Sequence, residues 1–371
     1  MTSPNTSLSL HSGSMELKRS LSESLKKLDY LSEFKSCALL DYPNYLNLGD
    51  RAIWVGAFLA LTEVLNLNIS YIASEGDFSD RALAERAERL PIFLNGGGNF
   101  GDLWPKIQTF RERIISQYRD RPIIILPQSI YYVDRENLKK TAALFNAHPN
   151  LTLFLRDRIS YDLAVENFPN CRLFLAPDMA FQMVGLPGLP QRDRAHSSTL
   201  YLCRDDRELD KRFAPSAINQ PNLVVEDWHS YSWLLGTQKS QFIQAIASLV
   251  REGWQRGLAT PDAWLARQNW DSFHPQLEKF KHSYGELMQR QSWSFLYSAF
   301  YQLSQHRFVI TNRLHAHILC VILEIPHIFL PNSYHKNEAF YESWTSRIPF
   351  CKFVKEPACI ETAIQALQAW I

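Results

Sequence analysis

Phe308-Val-Ile-Thr-Asn-Arg-Leu-His-Ala-His-Ile-Leu-Cys-Val-Ile-Leu-Glu-Ile-Pro326-His-Ile-Phe-Leu-Pro-Asn-Ser-Tyr-His-Lys336 reads as one β-α-β unit. The apolar run at 308–310 suits a strand buried on both faces of a parallel sheet. Thr311 and Asn312 are cap-forming residues. From 313 to 323 the apolar residues Leu314, Ile318, Val321 and Ile322 recur at helical spacing. Pro326 cannot continue a helix, and residues 327–330 read as a second strand. Arg313 and His315 therefore fall where the first strand hands over to its helix, and Lys336 follows the next strand end. In open α/β sheets ligands collect at the carboxyl ends of strands, where helix N-termini favour anions. At any single strand end a cap is the commoner role for Arg or His. Two successive ends carrying Arg-x-His and His-Lys favour a site for anion binding and proton transfer.

The same alternation runs through the first half. Short apolar strands are expected at 37–40, 69–73, 91–94, 122–126, 151–155 and 171–175, separated by helical stretches. A leucine stripe (Leu17, Leu21, Leu25, Leu28, Leu31) marks a helix over 15–34, behind a polar Ser/Thr-rich leader, residues 1–14, read as disordered. Polar residues gather at the strand ends: Asn47, Gly49 and Asp50; Asn95, Gly96, Gly97, Gly98 and Asn99; Gln128; Arg156; Asp178. The three glycines are expected to form a turn into the helix 103–118 that brings backbone N–H groups close to a ligand. They match neither the P-loop nor the G-x-G-x-x-G dinucleotide spacing.

Gly185, Pro187, Gly188 and Pro190 mark a linker over 185–198. Beyond it, strands are expected at 199–203, ending in Arg204, and at 223–225, and a helix at 241–252. Residues 253–290 are rich in aromatics and give no clear period. A helix over 293–305 leads into the opening unit, and a strand at 350–354 and a helix over 359–370 close the chain. The expected organisation is an N-terminal Rossmann-like domain (15–184), a C-terminal one (199–357) with a cleft between them, and a terminal helical segment (358–371).

Composition narrows the function. Among 371 residues, 46% hydrophobic and 21% charged is the balance of a water-soluble globular protein, and a net charge of +1 gives nucleic acid no basic face. No apolar run reaches the roughly 18 residues of a membrane span. Six scattered cysteines without a C-x-x-C pair suit a reducing cytoplasm and leave no zinc or disulfide framework. His315 and His317 are two apart, so on a helix they face different ways, and no metal set with ligand spacing is found. No G-x-S-x-G nucleophile elbow occurs. What remains is a cation cluster (Arg156, Arg204, Arg313, Lys336) and one imidazole, suited to a small ligand with more than one negative group.

Asn47-Leu-Gly-Asp50, Asn95-Gly-Gly-Gly-Asn99, Leu155-Arg-Asp157 with Ser160, Ala176-Pro-Asp178 and Arg313-Leu-His315 resemble the polysaccharide pyruvyltransferases, in that family's order, over roughly residues 36–345. The resemblance implies a fold like the two-domain B-type glycosyltransferases. It implies pyruvyl transfer from phosphoenolpyruvate to a sugar as a ketal, without a cofactor or metal. By the same resemblance Arg204, Arg313, Leu314, His315 and Lys336 bind the donor, and His315, Arg156 and Lys336 are the catalytic candidates, with His315 as general acid. Asn47, Gly49, Asp50, the glycine stretch 95–99, Gln128 and Asp178 then line the acceptor side. The acceptor is a sugar of a polysaccharide or its precursor; a lipid-linked one would bring the enzyme to the inner face of the membrane. Two alternatives share the fold: a nucleotide-sugar glycosyltransferase, and a non-catalytic carbohydrate-binding protein.

Overall fold

The computed structural model describes residues 6–45, 47–192, 198–204, 208–218, 220–228, 280 and 284–371. The helix expected at 241–252 and most of the aromatic stretch 253–290 lie outside them.

Two parallel sheets carry the α/β fold. The first holds β1 (Ser36–Leu40), β2 (Asn68–Ala73), β3 (Ile92–Leu94), β4 (Gly97–Gly101), β5 (Ile123–Tyr131), β6 (Leu151–Leu155) and β7 (Arg172–Leu175). Its order is β2-β1-β3-β5-β6-β7, with β4 beside β5. The second holds β8 (Thr199–Leu202), β9 (Leu223–Glu226), β10 (Phe308–Thr311), β11 (His327–Phe329) and β12 (Cys351–Phe353), in the order β12-β11-β10-β8-β9. Unbroken apolar runs such as Ile123–Leu126 can be this buried only because both faces of the sheet are covered. In each sheet the winding reverses once, between β1 and β3 and between β8 and β10. Such switch points leave a crevice at the strand carboxyl ends.

The glycine stretch departs from expectation. It is a strand, β4, paired with the far half of β5 (Gly97↔Gln128, Gly101↔Tyr131), and the next helix, α4 (Pro105–Gln117), starts later. Glycine is needed at Gly101: its φ is +136°, and a Cβ there would lie 1.7 Å from the Tyr131 carbonyl oxygen. The expected leader also differs. Helix α1 (Thr6–Leu25) begins inside it, and its leucine stripe docks on the core, with Lys18 Nζ donating to the Val184 carbonyl at 2.8 Å.

Helix α2 (Leu48–Leu59) joins the two halves. Asn47 caps it through Gly49 N–H at 2.9 Å. It is buried almost all round, against the turn Met179–Met183 and helices α7 (Glu286–Ser304) and α8 (Leu314–Leu323). One apolar core thus runs through both halves. Helix α8 stops at Glu324, which is left-handed at φ 56°, two residues before Pro326. Helices α3 (Asp80–Ala87), α5 (Arg135–Asn146), α6 (Arg158–Asn167), α9 (Lys336–Phe340) and α10 (Ile360–Ala366) complete the described α-helices.

His317 and His327 form a buried chain away from the strand carboxyl ends. The Ile325 carbonyl can only accept, so His327 Nδ1 (2.7 Å) carries a proton and its Nε2 accepts from His317 Nδ1 at 2.7 Å. His317 Nε2 then accepts from Thr345 Oγ1 at 2.9 Å. Cys351 Sγ lies 3.6 Å from His317 Nδ1, and the three residues' donor atoms fall within 4.8 Å of one another. Burial lowers both imidazoles, His327 to about 4.

Two predictions follow from packing and charge. Gly101→Ala should cost about 3 kcal/mol in urea unfolding, since it adds both strain and overlap; an unchanged midpoint would contradict the assigned strand. The histidine pair is neutral when folded and takes up protons when unfolded. Its contribution is complete above the ordinary value of 6.5 and is lost as pH falls toward 4. Urea midpoints measured across that window should drop, and a flat profile would contradict a neutral buried pair.

Candidate active site

The strand ends bring the charged residues together. Arg156 follows β6 and Asp178 follows β7, while Arg204 follows β8, Asp227 follows β9 and Arg313 follows β10. Lys336 opens α9. Residues of both sheets line a cavity of about 690 Å³, among them Asp41, Asn47, Asp50, Gly98, Asn99 and Arg156 from the first half. Arg204, Glu208, Arg313, Leu314, His315 and Lys336 come from the second. Gly49, Asn95, Gly96, Gly97, Gln128 and Asp178 do not line it. Gln128 Nε2 supports the wall from behind, donating to the Asn95 carbonyl at 2.9 Å and to Asn99 Oδ1 at 3.3 Å.

The cations are all buried, at 1% exposure for Arg156, 7% for Arg204 and Arg313, and 9% for Lys336. Buried charge of this kind is tolerable only when paired. Arg156 Nη1 donates to Asp178 Oδ2 at 2.7 Å, and its Nε donates to Ser129 Oγ at 2.9 Å. Arg313 forks onto Asp227, Nη2 to Oδ2 at 2.6 Å and Nε to Oδ1. Glu208 Oε2 takes both Arg204 Nη1 (2.8 Å) and Lys336 Nζ (2.6 Å). Burial works to lower Lys336, but the Glu208 carboxylate outweighs it and holds the ammonium above its ordinary value. Arg313 Nη1 and Arg156 Nη2 take part in none of these bonds. A Cβ on Gly98 would lie 3.0 Å from Arg156 Nη2, so the missing side chain keeps that edge clear.

His315 stands on the second turn-forming position of α8, and its Nε2 lies 3.6 Å from Asp178 Oδ2. That is close enough for ion pairing but too long for a hydrogen bond, and Nε2 has no hydrogen-bond partner. Burial would raise the Asp178 carboxyl; the His315 imidazole, Arg156 and the Ala180 N–H outweigh it and hold it at about 2. On the other side of the ring, a Cβ on Gly49 would lie 2.2 Å from His315 Nδ1. The sequence motif around Gly49 thus seats the imidazole directly. Sequence reasoning missed Glu208 and Asp227, the partners of three cations, and it missed Asp41, which also lines the cavity, and Arg111, its buried partner from α4.

The sequence model of the polysaccharide pyruvyl transferase family matches residues 47–334. The chain belongs to that family. Pyruvyl transferase 1 of Schizosaccharomyces pombe is 32% identical over 318 residues, covering 82% of this chain and 68% of that protein. EpsO of Bacillus subtilis, provisionally named a pyruvyl transferase, is 29% identical over 329 residues, covering 88% and 91%. A Klebsiella pneumoniae crystal structure of uncharacterized function shares the fold, with a TM-score of 0.55 at 21% identity, covering 90% of this chain and 98% of that one. The protein is therefore an enzyme of pyruvyl transfer in polysaccharide synthesis. Among its described residues no helix is long and apolar enough to cross a membrane.

Gly49→Ala should push the imidazole off Asp178 and cut pyruvyl transfer by about 100-fold, the scale of a 1 Å misplacement. The thermal midpoint should move only a few degrees, and unchanged turnover would show that the ring position is unimportant. In acid, Asp178 adds a separate loss of stability as pH falls from 3.8 toward 2, because its folded value is depressed.

Proposed function

We propose that this pyruvyl transferase takes its pyruvyl group from phosphoenolpyruvate, with His315 as general acid. The observation that carries the reading is an imidazole Nε2 without a hydrogen-bond partner, 3.6 Å from a carboxylate that Arg156 holds in place. Around it stand Arg204, Arg313 and Lys336, all lining one cavity. Phosphoenolpyruvate carries a carboxylate and a phosphate, and the unengaged edges of Arg313 and Arg156 offer N–H donors for them. His315 delivers a proton to the methylene carbon, leaving an oxocarbenium-like C2 that a sugar hydroxyl attacks. A second hydroxyl displaces phosphate and closes the ketal. The reaction balances without a cofactor or metal.

In this reading the halves face each other as in B-type glycosyltransferases, with the donor against the second sheet and the acceptor against the first. Arg156 positions Asp178, and Asp178 positions His315. The acceptor is a sugar diol of a glycan or its lipid-linked precursor, met in the cytoplasm or at the membrane's inner face. All six cysteines are thiols, in keeping with a reducing compartment.

Replacing His315 with Gln keeps a polar side chain but removes the transferable proton. Glycoside-dependent phosphate release should fall about 10²–10⁴-fold, the usual worth of a positioned acid. Near-normal turnover in a folded variant would end the assignment.

A further inference from the structure

Besides the cations, the cavity lining carries a second built group. Asp41 directly follows β1, at the switch point between β1 and β3. It is 7% exposed, lines the cavity, and holds a left-handed backbone at φ 66°, unusual outside glycine and seen where a site fixes a side chain. Its Oδ2 accepts from Arg111 Nη2 at 3.3 Å. Arg111 is itself fully buried and pinned, donating to Asn99 Oδ1 at 2.9 Å and to Gln108 Oε1 at 3.1 Å. Asp41 Oδ1 has no hydrogen-bond partner among the described residues. The result is a buried, oriented carboxylate with one oxygen left open among the described residues, lining the same cavity as His315.

We infer that Asp41 is the catalytic base that accepts the proton of the attacking acceptor hydroxyl. The inference rests on the pyruvyl transfer proposed above and supplies the partner that His315 lacks. As the sugar O–H bond breaks, its proton goes to Asp41 Oδ1 and the sugar oxygen bonds to C2. The C2=C3 electron pair meanwhile takes the proton of His315. The second hydroxyl then bonds to C2 as the C2–O bond to phosphate breaks, with that electron pair leaving on phosphate. Per turnover two hydroxyl protons are released; one replaces the proton now in the methyl group, and the other leaves on hydrogen phosphate. Asp41 ends each cycle by returning its proton to solvent.

The surroundings favour Asp41 over the other first-half carboxylates that line the cavity. Asp50 is half-buried and Glu75 is exposed, so water solvates both more fully. The groups facing Asp41 are Arg111 from α4, Asp50 from α2, Glu75 after β2 and Tyr45 before α2. Burial raises the Asp41 carboxyl most, Arg111 opposes it, and Asp50 and Glu75 add to the rise, bringing it up to about 6. A base near that value is ionised at neutral pH yet still binds a proton well.

The test is the pH profile of kcat/KM for the full chain, with phosphoenolpyruvate and methyl galacto-, gluco- and mannopyranosides as probe acceptors, reading glycoside-dependent phosphate release. The wild type should lose activity below about pH 6, and Asp41→Asn should lose about 10²–10⁴-fold while keeping its thermal stabilisation by phosphoenolpyruvate. Glu75→Gln, a change at an exposed site, should move the acid limb downward by a few tenths of a pH unit through loss of a nearby charge. Asp41→Asn within threefold of an active wild type, or an acid limb unmoved by Glu75→Gln, would overturn Asp41 as the base and leave pyruvyl transfer standing. A wild type that releases no phosphate with any of the three glycosides would instead count against the transfer, and with it the base.

Discussion

The Arg156–Asp178 pair, with His315 at 3.6 Å from the same carboxylate, is the contact on which the site depends. Arg156 and Asp178 end neighbouring strands of the first sheet, and His315 begins the helix after β10 of the second. A fully buried carboxylate must be compensated, and here the compensation comes from both halves. Moving one sheet against the other would strip Asp178 of part of its partnership. The apolar core through α2, α7 and α8 holds the halves where that pairing is kept.

The same rule shapes the rest of the cation cluster. Each cation carries a carboxylate partner in the protein, Asp178, Asp227 or Glu208, so four positive groups stand against three negative ones among these residues. A ligand with two anionic groups would not meet bare charge here; it would meet oriented N–H edges already fixed by the carboxylates. Such preorganisation is what an electrostatic site needs, because its dipoles need not turn during reaction. Beside Arg156, the first half also brings Asp41, Asp50 and Glu75 to the cavity. A polyhydroxyl ligand suits these carboxylates better than a second anion.

Much of this was legible from local pattern. The strands β1, β6 and β10, the helix after β10, and Arg313 and His315 at its start all follow from short-range periodicity. The pairing of cations did not, because Arg313 and Asp227 are 86 positions apart and Lys336 and Glu208 are 128 apart. The glycine stretch was misread for a related reason. Local chemistry says turn, but the continuation of β5 past Gln128 offers a strand partner that only the fold supplies. Asp41 gives no local signal of a site, because its carboxylate takes its orientation from Arg111, brought in from α4. The helix begun at Thr6 lay hidden because Ser/Thr composition masks a helix whose stability comes from docking its later leucines.

A cavity that reads a small donor bearing carboxylate and phosphate must bind phosphoenolpyruvate in preference to a nucleotide sugar. The most direct measurement is the thermal midpoint of the protein with phosphoenolpyruvate, and separately with UDP- and GDP-sugars, in the wild type and in Arg313→Gln. A ligand that binds only the folded state must raise the midpoint. The account predicts a rise with phosphoenolpyruvate that disappears in Arg313→Gln. A rise with a nucleotide sugar alone would contradict it.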